Sequence, residues 1–235
     1  WSQRKGFWML RIRGSKLEKT MKLIHLLLAG ACTVGSIAHA QSLNDLKADH
    51  QTPGDILTYG MGYNNQRYSA LKQIDKSNVA KLAPTWAYSL NNPQSHESQP
   101  MIHNGVMFVT THDSTVAIDP LTGRQIWKQT IEYKRDVFAM ACCGLLNRGA
   151  GVYKGKVFRG TLDARIVAYD AANGKELWST TIADYKKGHA ITSAPMIANG
   201  VLLTGIAGGE YGTRGFVDGL DPETGKQLWR LNTTA

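Results

Sequence analysis

The sequence predicts an all-β propeller built from tryptophan-ended repeats, and three observations predict it. A segment of eleven residues ending in Trp recurs three times, successive tryptophans stand 51 residues apart, and each copy follows a short apolar run that begins just after a glycine. The copies are residues 117–127 (AIDPLTGRQIW), 168–178 (AYDAANGKELW) and 219–229 (GLDPETGKQLW). A fixed period of this size marks a repeat architecture.

Within each copy an Asp-x-x-x-Gly turn joins two strands. The Asp side chain can accept backbone amides of the turn, and the Gly supplies the left-handed backbone from which the next strand departs. The preceding strands are residues 106–109, 157–159 and 201–204, after Gly105, Gly155 and Gly200. Four short strands per period make a propeller blade. The recurring Trp is expected to pack between adjacent blades. About three blades fit between Ser69 and Ala235, too few to close a ring, so the chain is expected to be incomplete or to need partners.

Charge narrows the function classes. The formal net charge is +9, but Arg4, Lys5, Arg11, Arg13, Lys16, Lys19 and Lys22 all precede residue 41. From Gln41 onward 20 basic residues face 17 acidic ones, evenly spread, which is an ordinary solvated surface and argues against nucleic-acid binding. Residues 21–40 read as a secretory signal: Met21-Lys22 opens a basic stretch, residues 23–37 are apolar, and Ala38-His39-Ala40 is a small-x-small cleavage site. Cleavage after Ala40 and a soluble periplasmic protein are expected, since no later segment approaches about 20 apolar residues. Residues 1–20 read as an upstream extension outside the fold, and residues 41–235 as the N-terminal part of a propeller domain.

Functional residues are expected where the repeat departs from its own pattern, because regular positions are committed to packing. From turn Gly to turn Asp the first two units use 14 and 15 residues, whereas the third uses 21, from Gly200 to Asp221. The extra length is a glycine-rich loop, residues 205–215, with the single carboxylate Glu210. Glycines let a backbone approach a bound molecule, and a carboxylate suits a hard cation, although such loops are commonly plain turns. The second departure is the connection from Trp127 to Gly155, which carries Cys142-Cys143 and Arg148. The adjacent cysteines fit a strained ring disulfide presenting a flat rigid surface, two reduced thiols in a core, or a redox pair, for which C-x-x-C is usual.

Further motifs accompany these: Asn65-Gln66-Arg67-Tyr68-Ser69, Asn78-Val79, Glu97-Ser98-Gln99-Pro100, Asn147-Arg148-Gly149, Thr192-x-Ala194-Pro195 and Gly208-Gly209-Glu210-x-Gly212-x-Arg214-Gly215. In this order, from Tyr59 to Trp229, the sequence resembles the methanol/ethanol dehydrogenase family of quinoproteins that depend on pyrroloquinoline quinone (PQQ). The resemblance implies an eight-bladed β-propeller enzyme that oxidises a primary alcohol to an aldehyde and passes electrons to a cytochrome c. It implies a Cys142–Cys143 disulfide covering one face of the quinone. Glu97, Arg148 and Thr192 would hold the cofactor's carboxylates and carbonyls. Ala207, Gly208 and Gly209 would lie beside it, and Glu210 would ligate Ca²⁺ or a lanthanide.

Ala207 stands where some relatives have Ser, which puts a side-chain hydrogen bond in doubt there. The catalytic Asp, the Asn metal ligand and an aromatic floor would lie beyond Ala235, so the chain alone is expected to be inactive. A homodimer of the full-length protein is among the assemblies the resemblance allows. No C-x-x-C-H haem motif is present. The competing class is a non-enzymatic propeller scaffold of the outer-membrane-assembly type, which has the same Trp repeat but no use for Cys142-Cys143, Arg148 and Glu210. A dinucleotide site at 205–215 is set aside because that loop joins strands and opens no helix. Membrane-bound glucose dehydrogenase shares the blades but not the cysteine pair with a cleavable signal.

Overall fold

The structure is a computed structural model that describes residues 41–52, 54–94, 96–141 and 144–234. The expected signal, residues 21–40, and the upstream extension lie outside the described residues.

Three antiparallel four-stranded sheets follow one another along the chain, each with its strands in sequence order. The first holds β1 (Met101–His103), β2 (Val106–Thr110), β3 (Ser114–Ile118) and β4 (Gln125–Thr130). The second holds β5 (Ala150–Tyr153), β6 (Lys156–Gly160), β7 (Arg165–Asp170) and β8 (Glu176–Thr181). The third holds β9 (Met196–Ala198), β10 (Val201–Gly205), β11 (Phe216–Leu220) and β12 (Gln227–Asn232). These are the predicted blades, three of them among the described residues. The repeat extends to register: Ala117 pairs with Trp127, Ala168 with Trp178 and Gly219 with Trp229, each followed by a bulge at the same position.

The turns behave as their residues require. The Asp119, Asp170 and Asp221 carboxylates accept the amides of Leu121, Ala172 and Glu223 at 2.9, 2.8 and 2.7 Å. Each Trp then reaches the following blade. Trp127 Nε1 donates to the Ala171 carbonyl at 2.9 Å, and Trp178 Nε1 to the Pro222 carbonyl at 3.3 Å. The Trp127 ring lies flat on Gly174, where an added Cβ would stand 2.7 Å from it, so a bare backbone is needed there. Trp86 makes the same contact with the first blade, donating to the Pro120 carbonyl at 2.9 Å and covering Gly123. It lies outside the sequence repeat, because it stands 41 residues before Trp127 and no Asp-x-x-x-Gly turn precedes it. Trp229 has no such partner among the described residues and is 42% exposed.

The middle blade is buried on both faces, so alternate residues of one strand enter different cores. Val157 and Val167 pack with Met101, Phe108 and Trp127 of the first blade. Phe158, Ile166 and Ala168 pack with Ile197, Leu202 and Leu220 of the third. This double burial explains the apolar run in β7. Polar staples cross the same boundaries. Arg159, with no exposed surface, donates to the Thr111 and His112 carbonyls at 3.0 and 2.7 Å. Arg230 forks onto Asp218 with two contacts of 2.6 Å and reaches the Ile182 carbonyl of the second blade at 2.9 Å.

The N-terminal segment departs from all-β only in short helical turns. Ser42 and Asp45 cap helix α1 (Leu43–Lys47) reciprocally, and Leu46 of that helix joins the core between the second and third blades. Buried Asp49 then accepts the Leu57 and Thr58 amides, both at 2.9 Å, and Ile56 bridges to Ile102 of β1. Among the described residues no helix is long and apolar enough to cross a membrane.

Candidate cofactor-binding site

Three connections that lead into the blades meet at Arg148. Its backbone N–H donates to the Thr192 carbonyl at 2.9 Å, and its carbonyl accepts the Gln99 amide at 3.2 Å. The segments entering the first, second and third blades are thereby tied side by side. Behind them Asn147, 2% exposed, donates to the Gly160 carbonyl at 3.1 Å and accepts the Gly149 amide at 2.9 Å. An amide with its donor and acceptor both engaged inside the protein is a rigid brace.

The Arg148 side chain leaves this brace half-exposed. Its Nη1 donates to Thr192 Oγ1 at 2.8 Å, and its Nε stands 3.0 Å from Glu97 Oε2. Glu97, Arg148 and Thr192, all predicted from the sequence, therefore form one chain of contacts. The carboxylate and the hydroxyl thus engage two of its nitrogens, Nε and Nη1.

The opposite wall comes from the loop between β10 and β11. Ala207 exchanges backbone hydrogen bonds with Ala190, at 2.8 and 3.3 Å. Gly208 follows with φ of +131°, and an added Cβ would lie 2.4 Å from the Gly188 carbonyl oxygen, so only glycine fits. The chain then enters a single 3-10 turn, Gly209–Tyr211, that carries Glu210.

Between the walls is a cavity of about 230 Å³ lined by Arg148, Thr192, Ala207, Gly208 and Glu210, together with Ala141 and Tyr211. Five predicted site residues thus reach one cavity from three connections. Glu97 joins through its ion pair, and Gly209 stands in the turn beside Glu210. Cys142 and Cys143 lie outside the described residues; Ala141, just before them, lines the cavity. Sequence reasoning reached the loop that holds Tyr211 but gave no role to Tyr211 or to Gly188, which meet across two loops. Among the described residues no group of three His, Cys, Asp or Glu side chains could hold a metal ion, so Glu210 supplies one carboxylate and no complete site.

The chain belongs to the PQQ-dependent family described as glucose/ethanol/alcohol dehydrogenase, β-propeller domain, whose model matches residues 57–235. It is 39% identical over 213 residues to the quinoprotein alcohol dehydrogenase PedH of Pseudomonas putida, covering 89% of this chain and 36% of that protein. It is 38% identical over 215 residues to the quinoprotein ethanol dehydrogenase of Pseudomonas aeruginosa, covering 86% and 34%. Among solved structures, a europium-containing methanol dehydrogenase superposes with a TM-score of 0.78 at 35% identity, over 82% of this chain and 34% of that one. The chain spans about a third of the length of these curated relatives.

Proposed function

We propose that this chain is the N-terminal, cofactor-holding part of an exported PQQ-dependent dehydrogenase that oxidises a primary alcohol to an aldehyde and delivers electrons to a cytochrome c. The observation that carries the proposal is the convergence of Arg148, Thr192, Ala207, Gly208 and Glu210 on one cavity, with Glu97 bracing Arg148. The catalytic Asp and the remaining metal ligands are assigned to the part of the full-length protein that this chain does not span.

The residues fit the group. PQQ is a flat tricarboxylate with adjacent carbonyls, and it needs a forked cation, hydroxyl donors and a backbone without side chains at its edge. Arg148 offers the fork suited to anionic oxygens. Thr192 fixes the direction of that fork and supplies a hydroxyl. Gly208, which has no room for a Cβ, brings backbone to the cavity wall. Ala141 and Leu146 give the cavity apolar surface for a ring to lie against. In this reading the adjacent Cys142 and Cys143 form a disulfide over the ring, and Glu210 binds Ca²⁺ or a lanthanide. When bound, the quinone supplies a two-electron acceptor, and the metal supplies Lewis-acid polarisation of its reactive carbonyl.

Export follows from the signal read in residues 21–40, with cleavage after Ala40 into the periplasm. The test of the whole reading is PQQ titration of the metal-replete full-length apoprotein. Saturable binding that Arg148→Ala weakens by about tenfold or more supports it, since hydrogen bonds to charged groups contribute about 1.5 to 3 kcal/mol. Equal affinity in wild type and Arg148→Ala, or no PQQ binding at all, refutes it.

A further inference from the structure

The turn that carries Glu210 is fastened to the connection entering the third blade, and one fastening has no backbone hydrogen bond in it. The Tyr211 ring lies directly on Gly188: a Cβ built on Gly188 would stand 2.5 Å from Tyr211 Cγ and 2.6 Å from Cδ2. Gly188 has φ of +90° and ends the short 3-10 turn Tyr185–Lys187, so the aromatic ring sits in a notch that only a residue without a side chain leaves open. Three residues earlier, a Cβ built on Gly208 would stand 2.4 Å from the carbonyl oxygen of the same Gly188. Between these contacts the Tyr211 amide donates to the Gly208 carbonyl at 2.9 Å and closes the turn around Glu210.

Glu210 itself is exposed, and among the described residues its carboxylate has no hydrogen bond or ion pair. Its direction is therefore set by its own backbone, which is flanked by Gly208, Gly209 and Gly212. A backbone so rich in glycine has many conformations available unless something outside it holds it still. Tyr211, next to Glu210 in the chain and 43% exposed, contacts Gly188 outside the turn and lines the same cavity as Glu210.

We infer that Tyr211, seated on Gly188, is a positioning residue that fixes the Glu210 carboxylate for cation binding. The inference rests on the reading of Glu210 as a ligand of Ca²⁺ or a lanthanide, and it adds a residue that neither ligates the cation nor touches the reacting atoms. Groups that orient metal ligands typically contribute about 10- to 100-fold in metal affinity.

The experiment is calorimetric titration of the PQQ-loaded, metal-free full-length protein with Ca²⁺ and, separately, with a lanthanide. Tyr211→Ala is expected to weaken binding about 10- to 100-fold, whereas Tyr211→Phe, which keeps the ring, leaves it unchanged. Gly188→Ala, which fills the notch from the other side, is expected to weaken binding as well. Added to Tyr211→Ala it should cause no further loss, because one contact is then removed twice. If Tyr211→Ala does not yield folded protein, the Gly188→Ala and Tyr211→Phe pair carries the test.

Glu210→Gln separates the two layers of the argument. Unchanged cation affinity in Glu210→Gln removes the ligand assignment and the inference with it. Weakened binding in Glu210→Gln with unchanged affinity in Tyr211→Ala and Gly188→Ala, whatever happens to their melting temperatures, overturns the positioning role alone.

Discussion

Arg148 and Glu97 form an ion pair of 3.0 Å between two neighbouring connections, with their side chains 43% and 44% exposed. A pair so open to water contributes little to folding, typically under about 1 kcal/mol. Glu97→Gln and Arg148→Ala are therefore expected to leave thermal unfolding of the full-length protein nearly unmoved. A large loss of stability in either variant would make the pair structural rather than a cofactor brace.

Trp127, 7% exposed, joins its own blade to the next through both an indole hydrogen bond and ring packing. Trp127→Ala is expected to cost about 3 to 5 kcal/mol, the usual range for emptying a buried aromatic site. Trp178 is only half-buried, so its truncation should cost less, and Trp229→Leu within residues 41–235 should cost least. Denaturant unfolding that ranked the three in another order would contradict the role assigned to each indole.

Arg159, with no exposed surface, donates to the carbonyls of the buried residues Thr111 and His112. Its removal in Arg159→Met leaves the Thr111 carbonyl short of a donor, at about 1 to 3 kcal/mol for an unmet buried group, while the His112 carbonyl keeps the Tyr133 hydroxyl at 3.0 Å. Lys, a single point of charge without the planar fork, is expected to rescue only part of the loss. Full rescue by Arg159→Lys, read from melting temperature, would show that charge alone suffices.

His112 gives a pH dependence of definite sign. Burial pushes its imidazole below the ordinary value, Arg159 and His96 push the same way, and Asp113 opposes them. Asn92 contacts Nδ1 at 2.9 Å, and the Phe138 ring meets the imidazole edge-on. In the window below about pH 6.5 the unfolded chain takes up a proton that the folded one resists. Stability should therefore fall as pH drops through that window, and the slope should shrink in His112→Gln. A melting temperature with the same slope in both proteins would assign the effect to other groups.

Cys142 and Cys143, read as a ring disulfide, are expected to resist alkylation in the exported protein until a reductant is added. Labelling of both thiols without reductant, followed by mass spectrometry of the tryptic peptide, would count against the pair.

The blades were legible because their signals are local. An Asp that accepts amides two residues on and a Gly four residues after it define a turn within five positions, and repetition supplied the count. Ser42 and Asp45 carried an equally local capping signal for α1 that the repeat overshadowed. Arg148, Thr192 and Glu210 emerged from departures in the pattern and from the family resemblance. Trp86 and the Tyr211–Gly188 contact did not, for a common reason: each joins segments outside the strands that are far apart in the chain, and sequence spacing has no term for a contact between two irregular segments.

Trp86 occupies the first blade's docking notch although residues 83–94 belong to no sheet among the described residues, and Trp127 and Trp178 likewise dock onto turns further along the chain. The direction of this arrangement governs biosynthesis. An indole emerging from the ribosome has nothing to grasp until about 44 further residues have followed it, as the offset from Trp127 to Ala171 and from Trp178 to Pro222 requires. Each sheet thus spends an interval of translation with its leading edge uncovered, and a chaperone or translocation factor that shields a growing chain would find its substrate there, one blade at a time.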